Sequence, residues 1–189
     1  GKSTQTQKLL DTFLNRGIGC ELVKFPQRET PIGKLINRYL TDRDFPLSDE
    51  SAHLLFSANR WEMVKCIQGL LDQGTIVVLD RYVYSGVAYS AAKGIGFDWC
   101  IAPDTGLPKP DLTLFFKFSD NSQREGFGDE RYEVKEFQDK VAIEFNRFSK
   151  GNEWESLDVD GKSIEEVSLE VWNAVEPLIN GVDSPIGTF

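Results

Sequence analysis

Apolar positions along this chain recur at two periods, and the two alternate. Leu9, Leu10, Phe13 and Leu14 fall at helical spacing, which predicts a helix over 2–16 with one apolar face. "CELVKF" at 20–25 reads as a strand, and "PIGKLINRYL" at 31–40 as a short helix with Pro31 in its first turn. Residues 47–74 read as a long helix, capped by Ser48 or Asp49 and stopped by Gly74. "TIVVLD" at 75–80 is a near-continuous β-branched run, the pattern of a buried parallel strand. The remainder reads as a helix at 85–94, a Pro-rich connection at 100–110, a strand at 111–118 and a polar loop at 119–132. A helix at 133–149, a strand at 156–160 and a final helix at 163–179 complete the order.

Strand and helix alternate throughout, so the expected fold class is α/β, with a mostly parallel sheet covered by helices on both faces. Right-handed crossovers put the strand C-termini along one edge of such a sheet, and ligands bind there. The 189 residues fit a single domain. No run of about 18 apolar residues occurs, so no membrane helix is expected.

Composition narrows the partners. The net charge of −9 argues against general binding to nucleic acid or anionic membrane. Locally placed cations can still hold phosphates. Cys20, Cys66 and Cys100 are widely spaced, with no CxxC, and read as reduced thiols of an intracellular protein. His53 is the only histidine, which excludes a His-rich metal site; it reads as a helix or interface residue. Residues 1–20 lack the basic end and apolar block of a signal peptide, although the chain begins without Met and a segment upstream stays open.

Four clusters of chemistry fall at the expected strand ends. Gly1-Lys2-Ser3-Thr4 runs straight into a helix, as the last letters of a phosphate-binding loop do. In such a loop backbone N–H groups cradle phosphates, the Lys reaches the β/γ oxygens and the hydroxyl binds Mg²⁺. "VVLDRY" ends a strand in Asp80 and Arg81, a carboxylate suited to Mg²⁺ and a planar cation suited to phosphate. Alternatively, Asp80 caps the following turn and Arg81 pairs with a surface acid. Phe25 and Arg28 follow the first strand, and Phe56 and Arg60 share a helix face four residues apart. A ring that stacks on a base and a guanidinium that bonds its carbonyl make a plausible clamp. Core packing and a helix salt bridge are the alternatives. "QREGFGDERYE" at 123–133 carries Arg124 and Arg131 in a Gly-containing loop, suited either to closing over a nucleotide or to plain solvent exposure.

Together "GKSTQ", "KFPQRETPIGKLIN", "HLLFSANRWE", "DRYVYSGVAYSAAKG", "PDTGLPKPDLTLF" and "GFGDERYE" resemble the thymidylate kinase family of the eukaryotic type, and within it most the fungal enzymes. The resemblance runs from residue 1 to about residue 179 and implies one P-loop kinase domain over 1–189 with a lid at 120–133. It implies transfer of the γ-phosphoryl group of ATP to dTMP with Mg²⁺, giving dTDP and ADP for dTTP synthesis. Lys2, Asp80 and Arg81 would be catalytic. Gly1, Lys2, Ser3, Thr4, Arg124, Arg131 and Lys162 would hold ATP, and Ser3 and Asp80 would hold the metal. Phe25, Arg28, Phe56, Arg60, Arg81, Ser85, Gly86 and Tyr89 would bind dTMP, with Tyr89 placed where a ribose 2′-hydroxyl would have to go. The resemblance also implies a homodimer through helices that include 47–74, no nucleic-acid or membrane partner, and a cytoplasmic location with the nucleus as a second compartment.

The family carries a strand and a Gly-rich segment with an Asp and an Arg before GKST, and neither precedes Gly1 in this sequence. A chain that begins at Gly1 is therefore expected to be poorly stable and to turn over little. Two rival readings remain: another nucleoside monophosphate kinase, or a nucleotide-binding module inactive through loss of the front of the loop. A GTPase-type switch lacks an NKxD-like motif.

Overall fold

The computed structural model describes residues 1–118, 131–182 and 185–189. Seven α-helices and four strands alternate among these residues: α1 (Lys2–Asn15), β1 (Cys20–Lys24), α2 (Pro31–Thr41), α3 (Asp49–Asp72), β2 (Ile76–Asp80), α4 (Val83–Ala91), α5 (Phe97–Ile101), β3 (Thr113–Lys117), α6 (Lys135–Phe145), β4 (Trp154–Asp158) and α7 (Ile164–Val175). The helix starts follow local chemistry. Thr30 caps α2 by accepting the Gly33 N–H, with Pro31 in the first turn. Of the two candidate caps for α3 it is Ser48 that accepts, from Ser51 N–H. Ser163 and Glu166 form a reciprocal capping box at α7.

Among the described residues both strand ladders are parallel. β1 runs beside β2 with Cys20 opposite Ile76 and Lys24 opposite Asp80. β3 runs beside β4 with Thr113 opposite Trp154 and Lys117 opposite Asp158. Among the described residues no ladder joins the two pairs. Helix α1 spans them instead: it packs on β1 and β2, while its Leu9 joins the cluster of Leu157, Val159, Val167 and Val171 beside Leu114 and Phe116. Phe13 is fully buried, its ring edge-on to Trp172 at 5.9 Å.

Three expectations are corrected. The run at 75–80 is expected to be buried, yet every residue of β2 is half-buried, since among the described residues β2 has a ladder partner on one side. The connection at 100–110 includes the end of α5 and a 3-10 turn at Ala102–Asp104, pinned by the fully buried Cys100. Strand β4 begins two residues before the expected 156, because Trp154 packs on Tyr84, Phe115 and Phe148.

The main core joins Val23, Phe25, Ile67, Tyr82, Val83, Val87, Cys100 and Leu107. A second cluster, Ile36, Tyr39, Leu40 and Ala52, lies between α2 and α3. The tail folds back on the main core. Thr188 bridges Pro108, Phe189 N–H donates to Leu107 O at 3.0 Å, and Gly106 N–H donates to Phe189 O at 3.0 Å.

His53 lies buried at the junction of α3, α4 and α5. The Cys100 carbonyl, 2.8 Å from Nε2, can only accept, so Nε2 carries the proton and Nδ1 accepts from the Ser90 hydroxyl at 2.7 Å. Burial holds its pKa below the ordinary histidine value. The unfolded chain therefore takes up a proton near pH 6.5 while the folded chain stays neutral, so this contribution to stability is present above pH 6.5 and is lost as pH falls toward the folded pKa. Unfolding midpoints should drop from pH 7.5 to pH 5.5 with a slope of up to about 1.4 kcal/mol per pH unit from this residue. His53→Gln should flatten that part of the profile; an unchanged slope in chemical denaturation would refute the assignment.

Candidate active site

The string "FSANRWE" occupies the middle of α3 and anchors two loops at once. Asn59 is fully buried and faces the turn after β1. Its Oδ1 accepts Gln27 N–H at 2.7 Å, and its Nδ2 lies 3.1 Å from Gln27 O, 2.9 Å from Thr30 Oγ1 and 2.9 Å from Glu62 Oε2. The Thr30 hydroxyl donates to Glu62 Oε2 at 2.6 Å. Burial acts to raise the Glu62 pKa, but hydrogen bonds from Thr30, Asn59 and Ile32 outweigh it and hold the carboxyl below its ordinary value. The turn closes so tightly that a Cβ on Gly33 would sit 1.8 Å from Gln27 O. Arg28 leaves this turn half-buried, and its Nη1 donates to Asn37 Oδ1 at 2.7 Å.

The second loop is the one after α5. Ser57 Oγ donates to Asp104 Oδ1 at 2.7 Å. Arg60 donates from Nε to Oδ1 at 2.9 Å and from Nη2 to Oδ2 at 2.6 Å. Trp61 Nε1 donates to Pro103 O at 2.8 Å. The Arg60 and Asp104 side chains are 3% and 0% exposed. The guanidinium lies against α4 at Gly86, where an added Cβ would come within 2.7 Å of Nη1.

Strands β1 and β2 end in register, and Phe25 N–H donates to Asp80 O at 3.0 Å, so the segments carrying Arg28 and Arg81 leave one sheet edge. Asp80 is half-buried there. Arg81 has φ of +66°, a left-handed conformation that a non-glycine residue adopts at a cost of about 1 kcal/mol or more, and such outliers cluster at functional sites. Its Nη1 lies 3.4 Å from the Tyr89 hydroxyl, which Gln138 also approaches. Ser85 and Tyr89 are half-buried one helical turn apart on α4. The Tyr132 ring lies 6.5 Å from Phe56 and 5.4 Å from Tyr89. Its hydroxyl meets Lys93 Nζ at 2.9 Å and Tyr39 at 3.2 Å. Burial first, then the Tyr39 hydroxyl, pushes its pKa above the ordinary phenol range.

Gly1, Lys2, Ser3 and Thr4 are exposed at the start of α1, and Gly1 approaches Phe118 at the end of β3. Helix N-termini of this kind favour anions.

Other expected residues are placed differently. Phe25 is a core side chain, 7% exposed and 5.4 Å from the Tyr82 ring, which leaves little of it to wall a pocket. Arg131 caps the end of α2: its Nε donates to Tyr39 O at 2.9 Å and its Nη2 to Asp42 O at 2.8 Å and Arg43 O at 2.7 Å. Those C-terminal carbonyls attract a cation. Lys162 pairs with Glu170 at 2.6 Å. Arg124 and most of the expected lid lie outside the described residues. The sequence reading did not name Asn59, Asp104, Tyr132 or Gln138. Each matters through a partner distant in sequence, and only the adjacency of Asn59 to Arg60 gave any hint.

The thymidylate kinase family pattern matches residues 1–171. The chain belongs to the thymidylate kinase family. Thymidylate kinase of Homo sapiens is 44% identical over 193 residues, covering 99% of this chain and 90% of that protein. The Schizosaccharomyces pombe thymidylate kinase is 43% identical, covering 93% of this chain and 86% of that protein. A solved structure of thymidylate kinase from Candida albicans, reported to reveal the origin of that enzyme's broad substrate specificity, superposes with a TM-score of 0.88 at 44% identity, covering 100% of this chain and 92% of that one. The family reading therefore holds over the whole chain, its P-loop α/β fold included.

The Gly33 contact gives a direct test of the turn that carries Arg28. Gly33→Ala should cost about 2 kcal/mol or more of stability, because the obstacle is backbone. Gly69→Ala, inside α3 with nothing within 4 Å of the new Cβ, should stabilise by about 0.5–1 kcal/mol. Urea denaturation of both variants measures the contrast.

Proposed function

We propose that this chain transfers the γ-phosphoryl group of ATP to dTMP, giving dTDP and ADP. The observation that carries the proposal is the way α3 holds a buried Arg60 against α4 at Gly86, with Phe56 one helical turn earlier beside the Tyr132 ring, within a chain that belongs to the family. Phe56 stacks on the thymine and Arg60 bonds its carbonyl. Ser85, Gly86 and Tyr89 line the base and deoxyribose, and the Tyr89 hydroxyl disfavours a ribose 2′-hydroxyl. Arg28 and Arg81 bind the acceptor phosphate, and the first turn of α1 with Lys2 binds the donor phosphates. The stem of Lys162 covers the adenine, compatible with its pairing to Glu170.

Phosphoryl transfer needs alignment and charge neutralisation more than covalent participation. The acceptor is already a phosphate oxygen, so no histidine base is needed, consistent with His53 being committed to Ser90 and Cys100. Ser3 and Asp80 supply hard oxygen donors, which suit Mg²⁺, and among the described residues no cluster of three or more His, Cys, Asp or Glu side chains competes for it. When bound, Mg²⁺ offsets the phosphate charge. The chain acts as one kinase domain and pairs with a second copy through α3, where Leu54 and Trp61 are exposed at 46% and 39%. It works in the cytoplasm and the nucleus; among the described residues no helix is long and apolar enough to cross a membrane.

Initial rates of ADP production with dTMP, dUMP and UMP test the substrate. We expect dTMP to be best and dUMP weaker by about tenfold or more, since one methyl group is worth about 1–3 kcal/mol. Equal rates on UMP and dTMP would overturn the Tyr89 assignment. Arg81→Ala should lower turnover by about 100-fold or more, whereas a residue serving binding alone would change only KM.

A further inference from the structure

Asp104 has no part in the roles assigned above, yet it holds one of the most enclosed charges described. Its carboxylate receives three donors: the Ser57 hydroxyl and two N–H groups of Arg60. The peptide around it is tied from both sides. Trp61 holds Pro103 O, and the tail holds Gly106 and Leu107 through the backbone of Phe189. The backbone at Asp104 is therefore held by contacts other than Arg60, and Ser57 also holds the carboxylate, so Asp104 serves as the reference against which Arg60 is aimed.

The pairing is one-sided. A guanidinium has five N–H donors in one plane, and Asp104 takes one from Nε and one from Nη2. The Nη1 edge has no hydrogen-bond partner among the described residues and lies over Gly86, where only a residue without Cβ leaves room. Arg60 therefore offers a fixed pair of donors at Nη1 while its charge is balanced 2.6 Å away by a carboxylate equally out of water. Without that carboxylate, a guanidinium in so enclosed a site would attract anions strongly.

We propose that Asp104 is a positioning residue that sets the orientation in which the nucleotide binds. It locks Arg60 in one pose and neutralises it, so that the free edge reads an uncharged carbonyl of the base and does not compete for the phosphate of the same molecule. The phosphate is thereby left to Arg28 and Arg81. This inference rests on the reading of Arg60 as the base contact.

The test uses inorganic phosphate as a probe in the full chain. Asp104→Asn should raise KM for dTMP about tenfold or more with kcat within about threefold, and should make inorganic phosphate a competitor of dTMP at about tenfold lower concentration than in the parent. Asp104→Glu, which keeps the charge, should restore the parent's insensitivity to phosphate. Arg60→Gln/Asp104→Asn, with no lone charge left in the core, should lose the added phosphate affinity. Calorimetric titration of phosphate reads the same comparison without turnover. Phosphate affinity in Asp104→Asn equal to the parent's, or Asp104→Glu behaving like Asp104→Asn, would overturn the proposal. Should Asp104→Asn fail to fold, Arg60→Gln and the double variant decide. Equal KM in the two supports action through Arg60, and a further tenfold rise in the double variant refutes it. An Arg60→Gln variant with the parent's KM for dTMP would instead sink the base-contact reading itself.

Discussion

The Arg60–Asp104 ion pair is the constraint on which the rest of the site depends. Both charges are out of water, a costly arrangement unless each is fully bonded. Asp104 meets that condition through Ser57 and the two Arg60 contacts. Losing either partner would strand the other, at a cost of about 3–5 kcal/mol. The pair therefore couples α3 to the loop after α5, and the guanidinium it fixes lies against α4 at Gly86.

One residue earlier on the same helix, Asn59 does the equivalent work with neutral groups. Its amide bonds both the N–H and the C=O of Gln27 and reaches Thr30 and Glu62. Thus consecutive side chains of α3 hold the turn that presents Arg28 and the loop that ends at Leu107. A helix is a rigid support, so fixing both loops to it fixes them to each other. The left-handed backbone at Arg81 fits this frame: a strained residue persists only where its surroundings over-determine it.

The far side of the site is held by side chains that cross the fold. Arg131 and Tyr132 tie the start of the α6 segment to the end of α2, and Lys93 brings Tyr39, Tyr132 and Asp49 together. The same contacts explain why Arg131 is spent on helix carbonyls. The carbonyls at the end of α2 need donors, and a five-donor guanidinium satisfies several at once.

How much of this was legible in the chain differs by element. The helices α1, α2 and α3 follow from apolar spacing and end signals because those are local: Pro31, Ser48 and Gly74 act on their own neighbours. The same holds for the β-branched run of β2, the apolar run of β3 with its two Phe, the shorter apolar stretch of β1, and the strings that carry the family resemblance. The half-burial of β2, the turn at Ala102–Asp104 and the early start of β4 were not legible, because burial depends on which ladder or ring lies alongside. Phe56 and Arg60 could be placed on one helix face from their spacing, since a helix fixes which positions share a face. That Arg60 is buried and balanced by a carboxylate 44 positions away, and that Gly86 is the floor beneath it, was decided only when the chain closed. Periodicity encodes which side of an element is apolar, whereas the partner of a buried charge is set by packing between elements distant in sequence.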